Sequence, residues 1–325
     1  MPSPKFTILI AFYNSAATIE ETLRSLQAQT EGSFEALCVD DASTDDGASI
    51  VEKYCSSDPR FRLLRRDMNG GQARARNMAL AEAKGEFTLM LDADDWFAPD
   101  TLEVLWSAAQ KDAVVDAMVM RLVKTWSDGR EEEYPLTGVP ASMTGREAAI
   151  LSIGWQLHGL YALRTSLMKK QPYFTRARTY DDDNTTITHY LLARRVVLTN
   201  ATYFYRQHAS SCTSGITLGL QNYLVANAHL RTIVFLNHLG RKAQRRTEAY
   251  CWHTFVWVYT RLARRRNDFA WEDWAQAEET FAHFLRLMRF RRLPLSVWLH
   301  PTTWPIRPYS LFRAWQRLWS WRVRE

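Results

Sequence analysis

Residues 88–100 read TLMLDADDWFAPD, a short neutral run that ends in the carboxylates Asp92, Asp94 and Asp95, with Ala93 between the first two. Two carboxylates about 4 Å apart repel by roughly 4 kcal/mol at an effective dielectric near 20. Such a stretch either splays its charges into solvent or holds something positive. Asp40-Asp41 close a second run, FEALCVDD (34–41), and Asp181-Asp182-Asp183 form a third acidic block in TYDDDNTT (179–186). A carboxylate set against a hydroxyl can act as a general base. Paired carboxylates suit a hard divalent cation such as Mg²⁺ or Mn²⁺. Arg74, Arg76, Arg206, His158, His208 and Trp155 complete the chemical inventory.

The elements that must position these residues are legible in the pattern. FTILIAF (6–12), FEALCVDD (34–41), FRLLRR (61–66) and EFTLML (86–91) read as strands. Between the first two, Ile19, Leu23 and Leu26 recur at helical spacing, and Thr18 with Glu21 is spaced as a capping box. Ser43 with Asp46 repeats the device ahead of an apolar stripe, Ile50, Val51 and Tyr54. GGQARARNMALAEAKG (70–85) predicts a helix opened by glycines and closed by Lys84-Gly85. Asp95 is placed to cap the turn after its strand. Strand and helix alternating four times predicts an α/β fold with a mostly parallel sheet flanked by helices. Ligands of such sheets sit beyond the carboxyl ends of the strands. The residues 11–14, 40–41 and 92–95 are therefore expected along one edge.

The chain has 325 residues, 46% hydrophobic and 23% charged, enough for one large domain with an appendage or for two domains. The opening MPSPKFTILI reads as a first strand rather than a leader. No run approaches the roughly 18 apolar residues of a membrane span. The net charge of +6 is unevenly placed: residues 241–325 hold 17 Lys and Arg against 7 Asp and Glu, and nine of the 13 tryptophans. WHTFVWVYTRLARRR (252–266) puts Trp252, Phe255, Val256 and Tyr259 on one helical face. The division expected is a domain over 1–215 and a basic, Trp-rich, mainly helical region over 216–325. Tryptophan beside arginine favours an anionic membrane surface; the alternative is a helical subdomain that packs its aromatics inward. The acidic front half argues against nucleic acid as a partner.

The blocks TILIAFYN, VDDASTDDG and NGGQARARNMALAEAKGEFTLMLDADD, in that order over residues 5–100, resemble the inverting glycosyltransferases of family 2. The likeness continues through the acidic block at 181–184 and YRQH at 205–208. It implies the GT-A nucleotide-diphospho-sugar transferase fold with a helical C-terminal extension. It further implies that Ala11, Phe12 and Tyr13 flank the uracil of a UDP-sugar, that Asp41 with Asp40 bonds the base edge, and that Arg76 lies near the ribose and diphosphate. Asp92-Ala93-Asp94 matches the family's D-x-D motif, with Asp94 and Asp92 on a Mg²⁺ or Mn²⁺ ion. Arg206 and His208 fall where the family sets a basic loop over the diphosphate. The base is expected in the 181–183 block, where three aspartates replace the usual Glu-Asp; the register of the following helix favours Asp182, then Asp183, then Asp181. The acceptor implied is a hydroxyl of a saccharide or lipid-linked saccharide in surface polysaccharide or lipopolysaccharide assembly, on the cytoplasmic face of the inner membrane. Two rivals stand beside this. A nucleotidyltransferase would carry a glycine-rich basic loop after the first strand, where AFYNSAAT has no Gly, Lys or Arg. An inactive scaffold serving as a membrane or nucleic-acid adaptor would have no use for intact DADD and DDD blocks.

Overall fold

A computed structural model describes residues 3–176, 182–207, 217–299, 304–306 and 308–322. The chain divides into two compact units, Met1–Cys212 and Thr213–Glu325. The first unit runs β1 (Phe6–Phe12), α1 (Ile19–Gln27), β2 (Phe34–Asp40), α2 (Gly47–Ser57), β3 (Phe61–Arg65), α3 (Gln72–Glu82), β4 (Phe87–Met90), β5 (Trp96–Phe97), α4 (Thr101–Lys111), β6 (Val115–Trp126), β7 (Glu131–Glu133), β8 (Ser142–Thr144), α5 (Gly145–Ser152), β9 (Tyr161–Arg164), α6 (Thr165–Lys170), α7 (Asp182–Leu192) and β10 (Arg195–Gln207).

Every residue of β1 and β2 is buried, which is why both read as near-continuous apolar runs rather than alternating ones. The strand order is β3-β2-β1-β4-β9-β6-β10-β5, with β7 on β6 and β8 on β10. The four strands of the alternating region are parallel. The sheet then turns mixed: β9 is antiparallel to both neighbours, β6 and β10 run parallel, and β5 lies antiparallel on β10. That last pairing sets Tyr203 opposite Phe97 and Phe204 opposite Trp96, so the end of a late strand reaches the acidic turn after β4.

Three local expectations are corrected. Neither capping box forms: the caps of α1 and α2 make no side-chain cap hydrogen bond, because Thr18, Glu21 and Ser43 bond distant partners instead. The Lys84-Gly85 pair does not close α3 as a left-handed cap; the helix stops at Glu82 and Ala83 is already extended. Gly85 is required for another reason. A Cβ there would lie far inside van der Waals contact of the Phe6 carbonyl carbon and the Thr7 nitrogen. Its amide donates to Thr7 Oγ1 at 2.8 Å, and that hydroxyl donates to Glu35 Oε1 at 2.7 Å. Backbone approach, not positive φ, selects the glycine.

The second unit comprises α8 (Asn222–Leu236), α9 (Gly240–Arg264), α10 (Trp271–Leu287), α11 (Leu295–Leu299) and α12 (Tyr309–Arg322), opened by a short 3₁₀ turn. The apolar face read from α9 points inward: Trp252, Phe255, Val256 and Tyr259 are all buried. Phe255 sits at its centre, with ring centroids 5.0 Å from Phe312, 5.4 Å from Trp252 and 5.8 Å from Phe284. Each such buried aromatic contributes about 1.5–3 kcal/mol. Pro294 and Pro308 directly precede α11 and α12, where the missing N–H costs nothing. Among the described residues, no helix is long and apolar enough to cross a membrane.

Replacing Gly85 by Ala should destabilise the protein by about 1–3 kcal/mol through overpacking against β1, read as a lowered urea midpoint. Gly32→Ala, whose added Cβ would meet nothing nearer than 3.7 Å, should change it by no more than about 0.5 kcal/mol.

Candidate active site

The parallel register sets Phe12 beside Asp40 and Leu9 beside Met90, so the ends of β1, β2 and β4 share one edge, as their spacing predicts. Ala11 and Phe12 are buried, whereas Tyr13 is 48% exposed at that edge. Asn14 turns the chain at φ 51°. Its side-chain oxygen accepts from the Thr44 amide at 2.8 Å, and its own amide donates to Ser43 Oγ at 3.1 Å. Sequence segments 11–14 and 40–44 are thereby tied into one rim.

The turn at 92–95 is fixed through its backbone. The Asp92 carbonyl accepts from the Asp95 amide at 3.1 Å. Thr18 Oγ1 donates to the Ala93 carbonyl at 2.9 Å, Arg206 Nε to the Asp94 carbonyl at 2.7 Å, and Thr22 Oγ1 to the Asp95 carbonyl at 2.8 Å. The Asp92 amide donates to the Tyr203 hydroxyl at 3.2 Å. All four carbonyls are thus held, three of them by side chains from the start of α1, including Thr18 just ahead of it, and from β10. Ala93 and Asp95 point inward and are buried, while Asp92 and Asp94 are half-buried at the edge.

The three carboxylates have different electrostatic fates. Asp92 is ion-paired with Arg76, whose side chain is almost wholly buried and whose guanidinium also lies over the Tyr173 ring at 5.6 Å. Arg74, by contrast, is exposed and bonds the Gly70 carbonyl, so of the two arginines it is Arg76 that reaches the acidic turn. Asp95 is fully buried and does not cap a helix; it accepts from the Tyr203 hydroxyl at 2.7 Å and from the Arg206 amide at 2.8 Å. Burial, then the negative charges of Asp92 and Asp94, push its carboxyl from 3.8 up to about 9. Asp95 is therefore held protonated near neutrality. Asp92 is offset by Arg76.

Other expected residues are placed differently. The Asp41 carboxylate is saturated: it pairs with Arg66 and accepts from the amides of Gly70 and Gly71, the latter at 2.7 Å. Asp40 accepts from the Ser43 amide at 2.8 Å. Both carboxylates hold loops at the edge where the base is expected. Arg206 is likewise turned inward. Besides the Asp94 carbonyl it pairs with Glu21 of α1, and it covers the Trp96 ring at 4.7 Å, so its guanidinium helps to organise the acidic turn. His158 is buried, with Nδ1 accepting from the Leu160 amide at 3.2 Å, and burial pushes its imidazole down to about 4. It is a neutral structural histidine. Trp155 is 42% exposed and adopts φ 65°, which rules out core packing for its ring. Asp182 and Asp183 stand in the first turn of α7. Asp181 and His208 lie outside the described residues.

Three positioning residues had not been singled out by the pattern: Thr22 on α1, Tyr173, and above all Tyr203; Thr18, just ahead of α1, had been read only as a cap. A buried tyrosine needs a partner for its hydroxyl, and in YFYRQH that rule points to a polar neighbour without naming it. Among the described residues, no three His, Cys, Asp or Glu side chains converge as a closed metal cage. Two carboxylates at an open edge do fit a hard cation whose remaining ligands come from phosphate oxygens and water.

The model of glycosyl transferase family 2 matches residues 7–196. The glycosyltransferase GlyG of Streptococcus pneumoniae is 30% identical over 224 residues, which cover 64% of this chain and 73% of GlyG. TarS of Staphylococcus aureus, a poly(ribitol-phosphate) beta-N-acetylglucosaminyltransferase, is 34% identical over 212 residues, 62% of this chain and 35% of TarS. The chain thus matches only about a third of that relative's length. The crystal structure of TarS 1–349 with UDP-GlcNAc superposes with a TM-score of 0.71 at 21% identity, covering 98% of this chain and 92% of the other. The mannosyltransferase PcManGT of Pyrobaculum calidifontis, in complex with GDP-Man and Mn²⁺, gives 0.56 at 18% identity, covering 99% and 85%. The mixed α/β sheet with its flanking helices is the GT-A fold.

Because the proton on Asp95 is retained in the fold up to about pH 9 and lost from the unfolded chain near 3.8, its contribution to stability is fully present below pH 3.8 and is lost as pH rises towards 9. Asp95→Asn should flatten the fall in stability across this window, measured by urea titration at several pH values in chelator. Tyr203→Phe, which leaves the Asp92 amide and one Asp95 oxygen without the hydroxyl, should cost about 1–3 kcal/mol.

Proposed function

The chain belongs to glycosyl transferase family 2, and from that premise we propose an inverting, metal-assisted transfer of a sugar from a UDP-sugar to a hydroxyl of a saccharide or lipid-linked saccharide. The observation that carries this reading is the 92–95 turn, clamped at all four carbonyls with Asp92 and Asp94 left at the ligand edge of the sheet. The UDP and UDP-GlcNAc complexes of TarS 1–349 support the donor class. The polymer in the TarS name supports a surface-polymer acceptor. In this reading residues 1–215 form the catalytic domain, and 216–325 a helical extension.

Ala11, Phe12 and Tyr13 form the platform for the base, with the exposed Tyr13 ring available to stack on it. Asp94, with the outer side of Asp92, would hold Mg²⁺ or Mn²⁺; the ion would neutralise the charge that grows on the departing diphosphate. Arg76 fixes the Asp92 carboxylate and tempers its charge. One aspartate of the 181–183 block, Asp182 before Asp183 and Asp181, takes the proton from the acceptor hydroxyl. The acceptor oxygen then bonds the anomeric carbon from the face opposite the diphosphate. The bond from that carbon to the diphosphate oxygen breaks, and UDP leaves with the electron pair. Inversion follows from this single displacement. Asp41 with Asp40 would bond the base edge, and Arg206 and His208 would contact the diphosphate.

A second reading concerns where the enzyme works. Most of the large apolar side chains left exposed belong to the helical unit, among them Trp271, Leu295, Trp298 and Leu318, in a region rich in arginine. This favours peripheral docking on an anionic membrane at the cytoplasmic face, next to a lipid-linked acceptor.

Calorimetric titration with UDP, GDP and CMP, with and without Mn²⁺, should give metal-linked binding of UDP. Asp94→Ala should remove the metal linkage; full UDP-sugar turnover by that variant with metal present would sink the metal assignment. A preference for GDP would change the donor class. Asp182→Ala should keep UDP affinity and lower kcat by about 10²–10⁴-fold, the usual contribution of a general base. The chain should co-sediment with phosphatidylglycerol vesicles and not with phosphatidylcholine ones; equal partition between the two would remove the membrane reading.

A further inference from the structure

One end of the helical unit presents basic and apolar side chains together. There α8 turns into α9 through His238 at φ 49° and Gly240 at φ 90°, a tight hairpin whose tip reads FLNHLGRK (235–242). Phe235 and Leu236 are 52% and 65% exposed. Arg241 and Lys242 follow in the first turn of α9, which carries no acid and no side-chain cap. The end of α10 and the 3₁₀ turn after it, RLMRFRR (286–292), reach the same place. Phe235, Leu287, Arg289 and Arg292 line one cleft with Gln244 of α9, and the Arg289 guanidinium lies over the Phe235 ring at 5.8 Å. Segments 240–246 and 286–292 hold eight Lys and Arg and no Asp or Glu. Arg241, Lys242, Arg245, Arg289 and Arg291 are exposed, and none of their side chains makes an ion pair among the described residues. The one acid lining the cleft, Glu248, is buried with both oxygens taken, by Arg231 at 2.9 Å and by the Arg289 amide at 3.0 Å.

Positive charge and exposed apolar side chains on one patch make two separate demands. The charges gain from an anionic surface, and exposed Phe and Leu gain from leaving water. A soluble polyanion meets only the first demand. The boundary of an anionic bilayer meets both, since the basic heads stay at the phosphates while the apolar tip enters among the acyl chains. The exposed Trp271 fits such a surface less well, because Glu272 and Asp273 follow it directly in the first turn of α10 and an anionic surface repels them. We propose that the α8–α9 hairpin tip, with segment 286–292 beside it, is the face that seats the protein on an anionic lipid surface. Phe235 and Leu236 insert, and Arg241, Lys242, Arg289 and Arg291 meet the phosphate headgroups. This rests on the membrane-docking reading above and names the face that carries it.

The test is sedimentation of the full chain with phosphatidylglycerol vesicles over a salt series, with inorganic polyphosphate as the soluble polyanion. Phe235→Ser with Leu236→Ser should weaken vesicle binding at least about tenfold and leave polyphosphate binding unchanged. Arg241→Ala with Arg291→Ala should also weaken vesicle binding at least about tenfold, at roughly fivefold per charge, and should flatten its dependence on salt. Arg264→Ala with Arg266→Ala removes the same charge about 35 Å away, at the other end of α9, and should weaken binding by less than about threefold. Thermal unfolding checks that each variant is folded, and Leu236→Ser alone serves if the double variant is not. Wild-type vesicle binding that survives in both folded variants, or that falls as far in the Arg264 and Arg266 variant, would overturn the assignment of this face and leave the membrane reading standing. No vesicle binding by the wild-type chain would remove both. Loss in the arginine variant without loss in the Phe235 and Leu236 variant would assign the patch to a soluble polyanion. A dimer that dissociates in the Phe235 and Leu236 variant, read by sedimentation equilibrium, would assign the tip to a second copy of the chain. Either result would overturn the proposal.

Discussion

Four consecutive carbonyls, from Asp92 to Asp95, are each held by a donor, and much of the first unit is arranged to supply those donors. Thr18 comes from the residue just before α1 and Thr22 from α1 itself, Arg206 from the end of β10, and the Asp95 amide from the turn itself. A loop fixed by its backbone keeps its carboxylates in place without using them as anchors. This matters where a charged group must meet a ligand at a set distance, because a side chain that also carries structural load cannot be displaced cheaply. The short β5 and its antiparallel pairing with β10 have a clear purpose in that light: they bring residues more than 100 positions apart into one hydrogen-bonded ring.

The same ring resolves the crowding of acidic groups. Three carboxylates in four residues would be costly if all were ionised and equivalent. Here one is compensated by a buried arginine, and one is buried with its proton. A site that is only modestly negative before it meets a cation and a diphosphate avoids strong self-repulsion when empty. The histidines of the described first unit contribute little to this balance. Burial holds both His158 and His189 neutral, each pushed down to about 4.

The strands and helices of the first hundred residues were legible because their signals are local: apolar runs of strand length, helical spacing, and glycines between them. The convergence of 11–14, 40–41 and 92–95 at one edge followed from topology alone. What the pattern misread were side chains whose partners lie far along the chain. Thr18 has the spacing of a capping residue, yet Ala93 outcompetes its own helix for the hydroxyl. Gly85 has the position of a helix cap, yet the approach of β1 decides it. Arg206 and Asp41 have the charge expected of ligand contacts, and the internal bonds each also makes lie too far along the chain for the pattern to name. Asp182 and Asp183 were recognisable as the opening of a helix, and a helix is what they open. In the tail, the inward face of α9 was readable from periodicity.

The concentration of nine of the 13 tryptophans after residue 240 has a practical meaning. Indole emission from this protein is weighted towards the helical unit, where Trp252 and Trp274 sit inside an aromatic core and Trp271 and Trp298 face solvent. Backbone circular dichroism weights the two units more evenly, since the sheet and its helices dominate the peptide count. The two spectroscopies therefore observe different parts of one chain. Coincident denaturation curves would mean that the units melt as a single cooperative body, and separated curves would assign each transition to its unit without cutting the polypeptide.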